Sequence, residues 1–507
     1  MLTIQFFYQE RKDLVGKLSA VVMAAGLGKR MKSRLPKILH PVAGRPMLWY
    51  LANLANRVAD STVAIVIGHG AEKVREYLAS EKMNFGSFCL VEQPEQKGTG
   101  HAVLQAKRVL TRSKQGRADQ CLILNGDTPL LTEVTVRALL NQHQADKATV
   151  TILTALLDNP QGYGRVIRRP GGGVLKVVED RDASREEQNI HEANVGTYVV
   201  DSTFLFQALE TLVPNNSQGE LYLTDIVHIA AGRGMGVSAM VAPDRHEAIG
   251  INNREDLAFV EKHMRHRICR KWMSAGVTLL DPDRTCIDEE VIIGQDTLLY
   301  PDVSLEGHTE LGESCIVRSH TRITNSLIGD RVVVQDNCIL DGAKIESESV
   351  IGPFAHLRPG TRLGRQAKVG NFVELKQAVL GKGSKANHLS YLGDAIIGSG
   401  VNIGAGTITC NYDGYRKEQT IIEDEVFIGS DTQLISPVRV GRGAVVAAGT
   451  TVTRDVPPDA LAISRLAQVN KGGAAARRRA LKTANVSPQR SRNTRSRTQG
   501  NKTKSRK

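Results

Sequence analysis

The sequence predicts an α/β domain with a Rossmann-like alternation of strands and helices, followed by a parallel β-helix of hexapeptide repeats. Short apolar runs alternate with helix-period segments between residues 18 and 252. From residue 286 onward an aliphatic side chain instead recurs every six positions, a period that no α-helix has. At 507 residues, the chain is long enough for two or three such units.

The first unit begins with an apolar strand over residues 18–23, and five further runs have the length and composition of strands. These runs are residues 63–67, 88–91, 121–124, 149–153 and 198–200. Helix-period segments between many of them indicate a sheet with helices on both faces. Ligands of such sheets bind beyond the carboxyl ends of the strands, so the loops after Met23, Val91 and Leu124 are expected to share one crevice.

A single helix is predicted to connect the two units. Over residues 254–273 one apolar stripe recurs at spacings of three and four: Leu257, Val260, Met264, Ile268 and Trp272. We therefore divide the chain into an N-terminal extension (1–17), an α/β domain (18–252), a linker helix (253–275), a β-helix (276–470) and a basic tail (471–507).

The hexapeptide ladder is the clearest structural signal in the chain. It begins with Ile293, Leu299, Leu305, Leu311, Val317 and Ile323 and continues to Val452. Such repeats suit a coil with one flat side per hexapeptide, in which the aliphatic side chains stack inside. Two interruptions, residues 378–391 and 412–425, are predicted to be loops that project from the coil. Loops on a rigid scaffold are where functional residues concentrate.

The formal net charge of +13 comes entirely from the C-terminal tail. Residues 471–507 contain thirteen of the 66 Lys and Arg and no Asp or Glu, so the remaining 53 basic residues balance the 53 acidic ones. The tail has almost no apolar residue after Val486 and is predicted to be disordered. It either contacts polyanions or anionic membranes weakly, through counterion release, or is a solubilising extension without a partner.

The seven cysteines are scattered and form no CxxC pair and no Cys/His cluster, so neither a zinc site nor a disulfide framework is predicted. No run of eighteen apolar residues occurs, and the N-terminus lacks the small-residue cleavage site of a signal peptide. These features together predict a cytoplasmic protein without an integral membrane segment.

A glycine-rich, cationic loop, AAGLGKRMKSRLPKIL (residues 24–39), follows the first strand. It has Met31 where a dinucleotide fingerprint has its third glycine, and Arg30 where a Walker loop has Ser or Thr. Gly26 and Gly28 would let the backbone approach a phosphate, and five cations follow: Lys29, Arg30, Lys32, Arg34 and Lys37. Nucleotidyl transfer needs this combination, because charge on the pentavalent phosphorus and on departing pyrophosphate must be stabilised. The loop alone is equally compatible with a solvated basic turn.

Two further polar loops follow predicted strands. The first, QPEQKGTGH, contains Gln93, which could read a base edge, and Gly98-Thr99, which could pass beneath the base. The second, Asn125-Gly-Asp127, ends the next strand, and Asp127 in that position suggests a Mg²⁺ ligand. Because all three loops lie at carboxyl ends of strands, a shared nucleotide site is favoured over three unrelated turns.

In the β-helix, His388 is the candidate for acid–base chemistry. Acyl transfer to an amine needs a base, because only the neutral amine attacks a thioester, and histidine titrates in the required range. Glu374, on the preceding part of the ladder, is the carboxylate expected to orient the ring. An isolated loop histidine is otherwise usually just solvated.

The motif AAGLGKRM with Pro36-Lys37 closely resembles the signature of sugar-phosphate nucleotidyltransferases. With the hexapeptide ladder and the motifs HLRPGTRLG, VGNFVELK, NHLSYLGDA, NIGAGTITCNYDG and ALAISR, residues 18–468 resemble the bifunctional bacterial N-acetylglucosamine-1-phosphate uridylyltransferase / glucosamine-1-phosphate acetyltransferase family. The resemblance implies acetyl transfer from acetyl-CoA to glucosamine 1-phosphate, then uridylyl transfer from UTP to give UDP-N-acetylglucosamine. It also implies a left-handed β-helix, Mg²⁺ as the metal, and a homotrimer.

For the uridylyl site, the resemblance implies roles for the residues that match the family's motifs. The nucleotide would be held by Met23, Ala24, Ala25, Gly26, Gln93, Gly98 and Thr99, its phosphates by Arg30 and Lys37, Mg²⁺ by Asp127 and Asn252, and the N-acetylglucosamine moiety by Gly164, Glu179 and Asn194. Lys29 and Asn125 depart from the family, which usually has Thr and often Tyr at those positions. Both departures concern the nucleotide pocket.

For the acetyl site, the resemblance makes His388 the base. Arg358, Lys376, Tyr391 and Asn402 would surround glucosamine 1-phosphate, and Ala405, Asn411, Tyr412, Ser430, Ala448 and Arg465 would lie along acetyl-CoA. Hexapeptide acyltransferases typically build such sites between subunits. Two other hypotheses remain: a single-activity nucleotidyltransferase whose β-helix serves oligomerisation or regulation, and a nucleic-acid-binding scaffold that uses the basic tail.

Overall fold

The structure is a computed structural model that describes residues 17–80, 88–111, 118–465 and 467–484. Within these ranges the N-terminal region forms a nine-stranded sheet and a two-stranded ribbon. The strands are β1 (Leu18–Ala24), β2 (Pro41–Val42), β3 (Arg45–Pro46), β4 (Val63–Ile67), β5 (Phe88–Glu92), β6 (Gln120–Asn125), β7 (Val150–Leu156), β8 (Arg165–Arg168), β9 (Val174–Val178), β10 (Glu192–Asp201) and β11 (Val237–Val241). Strands β2 and β3 form the ribbon, and the others are ordered β11-β7-β10-β6-β1-β4-β5, with β8 paired to β10 and to β9.

The large sheet is mixed rather than purely parallel. Strand β1 lies between β4 and β6 and pairs with both in parallel, whereas β10 runs antiparallel to β6 and β7. Every predicted strand is present, and the shortest prediction, residues 198–200, is the end of the ten-residue β10. Because β6, β1, β4 and β5 are mutually parallel, their carboxyl ends lie along one edge of the sheet.

Helices cover both faces of this sheet, as predicted. They are α1 (Met47–Val58), α2 (Ala71–Ser80), α3 (Thr99–Gln105), α4 (Lys107–Thr111), α5 (Glu133–Ala145), α6 (Arg185–Gln188), α7 (Ser202–Glu210) and α8 (Asp225–Gly232). Successive side chains of a strand point to opposite faces, so Val21 and Val22 of β1 belong to different cores. The core around Val22 contains Leu51 of α1, and the core around Val21 contains Leu205 of α7.

The linker helix α9 (Arg254–Ser274) extends one residue beyond the predicted span. Asn253 is its N-cap: the side chain accepts from the backbone N–H of Asp256, and the Asp256 carboxylate accepts from the backbone N–H of Asn253. Its predicted stripe is buried at Val260, Met264, Ile268 and Trp272. These side chains share one apolar core with Met31 before the helix and Ile287 after it, so α9 joins the α/β region to the β-helix.

From residue 278 the chain forms a left-handed parallel β-helix with three flat sheets. Sheet 1 contains β12 (Thr278–Leu279), β15 (Leu298–Leu299), β18 (Ile316–Val317), β21 (Val333–Val334), β24 (Val350–Ile351), β27 (Lys368–Asn371), β30 (Lys385–His388), β33 (Asn402–Ile403), β36 (Phe427–Ile428), β39 (Val445–Val446) and β41 (Leu461–Ala462). Sheet 2 contains β13 (Cys286–Ile287), β16 (Ser304–Glu306), β19 (Arg322–Thr324), β22 (Ile339–Asp341), β25 (His356–Leu357), β28 (Glu374–Lys376), β31 (Tyr391–Gly393), β34 (Ile408–Cys410), β37 (Gln433–Ile435) and β40 (Thr451–Val452). Sheet 3 contains β14 (Ile292–Ile293), β17 (Glu310–Leu311), β20 (Leu327–Ile328), β23 (Lys344–Ile345), β26 (Arg362–Leu363), β29 (Val379–Leu380), β32 (Ala395–Ile397), β35 (Thr420–Ile422) and β38 (Val438–Val440).

The hexapeptide ladder fills the interior of the coil, as predicted. Leu305, Ile323 and Leu340 are fully buried and stack on one another in adjacent coils of sheet 2. Leu305 and Ile323 are 18 residues apart, and Ile323 and Leu340 are 17 apart. One coil is therefore three hexapeptides, occasionally shortened by one residue.

The first predicted interruption of the coil is wrong. Residues 378–391 do not project, because β29, β30 and the start of β31 pair in register with the coils on either side. The pattern is hidden there because the coil is one residue short and the small Ala386, fully buried, occupies the ladder position. The second interruption is partly correct: residues 411–419 leave the coil, but it resumes at Thr420–Ile422.

The basic tail departs from the predicted disorder in its first part. Helix α10 (Ala474–Ala484) forms there and is largely exposed; residues 485–507, like the N-terminal extension up to residue 16, lie outside the described residues. The prediction rested on a polar, cationic composition that cannot bury a core, whereas Ala, Arg, Leu and Lys favour a helix without any core. No helix in the described ranges is long and apolar enough to cross a membrane.

Candidate active sites

The three loops that were expected to share a crevice do so. The register pairs Met23 of β1 with Asn125 of β6, so the loops after these strands open at the same edge of the sheet. Between them and the loop after β5 lies a cavity of about 370 Å³. Its lining includes Met23, Ala24, Ala25, Gly26, Lys37, Gln93, Gly98, Thr99 and Asp127. The cavity therefore brings together nine of the predicted uridylyl-site residues.

A second cavity of about 190 Å³ lies beside the first and shares Met23, Thr99, Asn125 and Asp127 with it. Its lining also includes four further predicted residues, Gly164, Glu179, Asn194 and Asn252. Two adjacent cavities that meet at one carboxylate suit a reaction between two bound substrates.

Two cationic side chains and two side-chain oxygens that could bind a metal ion meet where the cavities join. The ammonium of Lys37 lies 2.6 Å from a carboxylate oxygen of Asp127 and 3.0 Å from the amide oxygen of Asn252. The guanidinium of Arg30 lies 2.9 Å from the same Asn252 oxygen. The fold thus brings together the four residues that were predicted to bind phosphate and metal.

The position of Asn252 depends on the start of the linker helix. Its backbone N–H donates to the Asp256 carboxylate at 2.8 Å, the same carboxylate that completes the cap of α9. The neighbouring Ile251 N–H donates to the backbone carbonyl of Asp127 at 2.9 Å. These contacts hold Asn252 beside Asp127 although the two are far apart in sequence.

The oxygen donors of this cluster suit a hard divalent cation. One carboxylate and one amide oxygen converge on the Lys37 ammonium, so they can converge on a metal ion in the same way. Across the described parts of the chain, no three His, Cys, Asp or Glu side chains group as an all-protein metal site. A cation held by Asp127 and Asn252 would therefore complete its coordination with water and substrate oxygens, which is the habit of Mg²⁺.

Gln93 and Gly98 form one packed unit in the wall of the first cavity. Gln93 is only 3% exposed, and its side-chain amide donates to the carbonyl of Gly98 at 3.1 Å. Gly98 has a φ of 101°, and a Cβ at this position would lie 2.6 Å from the carbonyl oxygen of Leu221. Backbone conformation and packing therefore both require glycine, which lets the chain pass close to a ligand.

The second cavity is lined by polar groups with internal partners. Burial raises the pKa of Glu179, and the hydroxyl of Thr224 donates to its carboxylate at 3.0 Å. The side-chain nitrogen of Asn194 donates to the hydroxyl of Tyr198 at 2.7 Å. Sequence analysis missed Tyr163, whose hydroxyl accepts from the backbone N–H of Gly250 at 3.1 Å. Its position between two glycines was the one available signal.

The two departures from the family's motifs differ in their surroundings. Asn125 lines both cavities, and its side-chain nitrogen donates to the carbonyl of Val195 at 3.2 Å. Lys29 is exposed and begins the 3₁₀ turn Lys29–Met31. Asn125 therefore bears directly on the shape of the site, whereas Lys29 adds charge at its periphery.

At the second site, His388 ends β30 at the corner between sheets 1 and 2. Its Nδ1 lies 2.9 Å from the side-chain oxygen of Asn371, the residue paired with it in the preceding coil. An amide oxygen can only accept, so Nδ1 carries the hydrogen and Nε2 keeps its lone pair. Because His388 is exposed, Nε2 can take a proton from a substrate.

The orienting contact that was predicted for Glu374 is made by Asn371 instead. The Glu374 carboxylate accepts a hydrogen bond from the Arg358 guanidinium at 2.9 Å. Asn371 ends β27 in sheet 1, whereas Glu374 begins β28 in sheet 2, so the corner of the coil separates Glu374 from the sheet 1 strand that ends at His388. Glu374 is thus placed to hold Arg358 in position.

Polar side chains form a strip on sheet 2 beside His388. Glu374 pairs in register with Tyr391 of the next coil, and Lys376 follows on the same strand as Glu374. Lys417, from the 411–419 loop, lies close enough to Lys376 that the amino group of Lys376 lowers the pKa of Lys417. Sequence analysis missed Lys417, because only the fold brings this loop back to the strip.

Four of the six residues predicted to lie along acetyl-CoA occupy one edge of the β-helix. Each follows a strand of sheet 1 in successive coils: Ala405, Ser430, Ala448 and Arg465. A Cβ on Gly429 would lie 2.4 Å from the backbone nitrogen of Ala448, so the coils stack tightly there. With about 4.8 Å between strands, three steps give an edge about 14 Å long. Asn402 lies on β33, the strand that precedes Ala405, and Asn411 and Tyr412 lie at the start of the 411–419 loop.

Comparison with known proteins shows which families this chain resembles. A MobA-like NTP transferase domain matches residues 20–185, and the hexapeptide repeat of succinyl-transferase matches residues 419–454. The bifunctional protein GlmU of Pelobacter propionicus is 48% identical over 456 residues, which cover 90% of this chain and 97% of the relative. This chain belongs to the bifunctional GlmU family.

Other GlmU proteins match over a similar length. That of Geotalea daltonii is 46% identical over 459 residues (90% of this chain, 99% of the relative), and that of Heliobacterium modesticaldum is 47% identical over 449 residues (89% and 96%). A crystal structure of UDP-glucose pyrophosphorylase with UDP-glucose aligns with 50% of this chain at 17% identity, and its TM-score of 0.41 is too low to support an inference.

Membership of the GlmU family establishes the type of reaction. The chain is a bifunctional transferase that acetylates glucosamine 1-phosphate and uridylylates the resulting N-acetylglucosamine 1-phosphate. The NTP transferase match lies in the α/β region and the hexapeptide match lies in the β-helix. This result decides against the single-activity and nucleic-acid-scaffold hypotheses.

Proposed function

We propose that the two reactions take place at separate sites, uridylyl transfer in residues 18–252 and acetyl transfer in residues 276–470. The observation that supports the first assignment most directly is the pair of adjacent cavities that meet at Asp127. The larger cavity would take UTP, with Met23, Ala24, Ala25, Gly26, Gln93, Gly98 and Thr99 around the nucleotide. The smaller cavity would take N-acetylglucosamine 1-phosphate, with Gly164, Glu179 and Asn194 around the sugar.

The chemistry at this junction needs positive charge more than it needs a base. The attacking oxygen belongs to a sugar 1-phosphate, which is already anionic at neutral pH. Arg30 and Lys37 would hold the phosphates so that this oxygen attacks the α-phosphorus in line as pyrophosphate leaves. Asp127 and Asn252 would hold Mg²⁺, which supplies further positive charge against the triphosphate when bound.

At the acetyl site, His388 would take a proton from the amine of glucosamine 1-phosphate as the amine attacks the thioester carbonyl. The free lone pair on Nε2, fixed by the Asn371 contact, supports this role. Arg358, Lys376, Tyr391 and Asn402 would position the sugar phosphate. Acetyl-CoA would extend along Ala405, Ser430, Ala448 and Arg465, with Asn411 and Tyr412 at the side of this edge.

We further infer a homotrimer, which an exposed apolar ridge on the β-helix supports. Phe354, Phe372 and Leu389 occupy equivalent turns of successive coils and are 48%, 55% and 62% exposed. The two phenylalanine rings stack with centroids 5.2 Å apart. Because Phe372 and Leu389 directly follow Asn371 and His388, a second copy that covers the ridge would also close the acetyl site. The free cysteines of the described residues are consistent with the reducing cytoplasm that we assign to the enzyme.

The test uses the purified full-length protein with glucosamine 1-phosphate, acetyl-CoA, UTP and Mg²⁺, each omitted in turn. We expect UDP-N-acetylglucosamine only from the complete mixture, and we expect N-acetylglucosamine 1-phosphate to replace the first two reagents. If N-acetylglucosamine 1-phosphate, UTP and Mg²⁺ yield no UDP-sugar, the assignment of the cavities is wrong. Sedimentation of the same sample as a monomer or dimer would contradict the trimer.

A further inference from the structure

The side-chain amide of Gln93 is held in one orientation by two acceptors. Its nitrogen lies 3.1 Å from the carbonyl oxygen of Gly98 and 3.0 Å from Nδ1 of His101. The backbone N–H of Gln93 donates to the carbonyl of Ile67 at 2.8 Å, and the residue is 3% exposed. With both amide hydrogens directed at protein atoms, the amide oxygen is what Gln93 offers to a ligand in the first cavity.

This orientation requires Nδ1 of His101 to accept, and the surroundings of the ring decide that it does. The other ring nitrogen, Nε2, lies 3.1 Å from the side-chain nitrogen of Gln105. A neutral imidazole cannot accept at both nitrogens, so one of the two amides must present its oxygen. Gln105 also donates to the backbone carbonyl of His101 at 3.2 Å, but it is partly exposed, so its side chain can rotate away from that carbonyl and turn its amide oxygen towards Nε2–H. The same rotation of the amide in buried Gln93 would bring its oxygen against the carbonyl oxygen of Gly98, and two acceptors cannot form a hydrogen bond.

We propose that His101 is a positioning residue that makes the uridylyl site select uracil over cytosine. The proposal rests on the proposed placement of the nucleotide base against Gln93. Uracil carries a hydrogen on N3 and can donate it to the Gln93 oxygen, whereas N3 of cytosine carries a lone pair. An oxygen locked towards N3 therefore binds uracil and repels cytosine, and His101 is the contact that locks it.

The experiment compares kcat/KM for UTP and for CTP at saturating N-acetylglucosamine 1-phosphate and Mg²⁺. His101→Phe keeps a ring but removes the acceptor, so the amide of Gln93 can turn and present its nitrogen to N3. We expect the UTP-to-CTP ratio to fall at least about tenfold. His101→Asn places an oxygen on Cγ, where His101 has Nδ1, and should restore the ratio to within about threefold of wild type.

Two further variants separate His101 from its surroundings. Gln105→Leu removes the partner of the other ring nitrogen and should leave the ratio within about twofold of wild type. Gln93→Leu should lower kcat/KM for UTP; if it does not, the base lies elsewhere and the proposed function of this cavity fails together with the inference. If Gln93→Leu does lower it, only the role of His101 is in question.

Two outcomes would overturn the role of His101. One is an equal fall in kcat/KM for both nucleotides in His101→Phe, which would show general damage to the loop. The other is an Asn variant as unselective as the Phe variant. Acetyl transfer by the same preparations reports whether the protein is folded, and His101→Leu replaces His101→Phe in the comparison should the larger side chain prevent folding.

Discussion

The side-chain oxygen of Asn371 lies 2.9 Å from Nδ1 of His388, one coil away. This contact fixes the hydrogen on Nδ1, directs the lone pair of Nε2 outward and holds the plane of the ring. A neutral amide does this without the negative charge that a carboxylate would add. In the proposed acetyl site, His388 would therefore present Nε2 to the substrate amine, whose proton leaves as the bond to the acetyl carbon forms.

Replacing Asn371 should slow acetyl transfer by releasing the ring. We expect Asn371→Ala to lower kcat about tenfold or more, but less than the 10²–10⁴-fold loss typical of removing the base itself. Steady-state acetylation of glucosamine 1-phosphate measures the effect, with uridylyl transfer as the internal control. A kcat equal to that of wild type would show that Asn371 does not orient His388.

The two active sites should be separable by single substitutions. We expect Asp127→Ala to abolish uridylyl transfer and spare acetyl transfer, because it removes one of the two oxygen donors at the junction of the cavities. We expect His388→Ala to do the reverse. Each reaction is assayed alone, with its own substrates. Loss of both activities from either well-folded variant would contradict two independent sites.

Binding of the sugar substrate should weaken on acidification because of Glu179. Burial raises its pKa above the ordinary 4.5, so the carboxylate takes up a proton at a higher pH than an exposed glutamate does. The protonated form loses an acceptor for sugar hydroxyls, and KM for N-acetylglucosamine 1-phosphate should rise as pH falls through this raised pKa.

Glu179→Gln is the matched variant for this prediction, since glutamine has no carboxyl group to titrate. The substrate phosphate titrates equally with both proteins, so the difference between their pH profiles of KM reports Glu179 alone. Identical profiles would mean that Glu179 does not contact the sugar.

The hexapeptide ladder should behave as a close-packed core. Ile323 is fully buried between Leu305 and Leu340, so Ile323→Ala should cost about 2–5 kcal/mol of stability. Its exposed neighbour Arg322 pairs at 3.4 Å with Glu306, and Arg322→Ala should cost no more than about 1 kcal/mol. Denaturant unfolding of the full chain measures both. Equal losses would mean that the ladder is not the stabilising core of the coil.

Removing the basic tail should leave catalysis intact. Residues 471–507 hold thirteen cations, and the described part, including α10, is largely exposed. We expect a chain ending at residue 470 to keep kcat for both reactions within about twofold and to lose salt-sensitive retention on a polyanionic resin. A large loss of either activity would instead place the tail in an active site.

Sequence periodicity predicted the β-helix because an inward aliphatic residue is needed at every sixth position. It failed around Ala386, where a coil one residue shorter shifts the phase and a small side chain fills the ladder position. The strands of the α/β region were predictable from short apolar runs, but not that β10 is antiparallel, since apolar content carries no direction. Helix α10 was missed because a helix of alanine and cations needs no buried face.

The candidate site residues were predictable where they lie in short motifs at strand ends. Contacts between distant segments were not. Asn371 meets His388 because consecutive coils are in register, and Lys417 reaches Lys376 because a loop folds back across the coil. In both cases the residue types alone do not distinguish between several candidate partners. Glu374 was predicted as the partner of His388 because a carboxylate is the commoner partner of a histidine base.

The cap of α9 has a consequence for dividing the enzyme. Asn252 is positioned by Asp256, which belongs to the first turn of the linker helix. A fragment that stopped at residue 253 would keep every residue of the nucleotide cavity, and Asn252 as well, but would lack the Asp256 carboxylate that places Asn252. The smallest piece able to form UDP-N-acetylglucosamine is therefore expected to extend at least through Asp256, so the first turn of α9 serves the first active site as well as the link to the second.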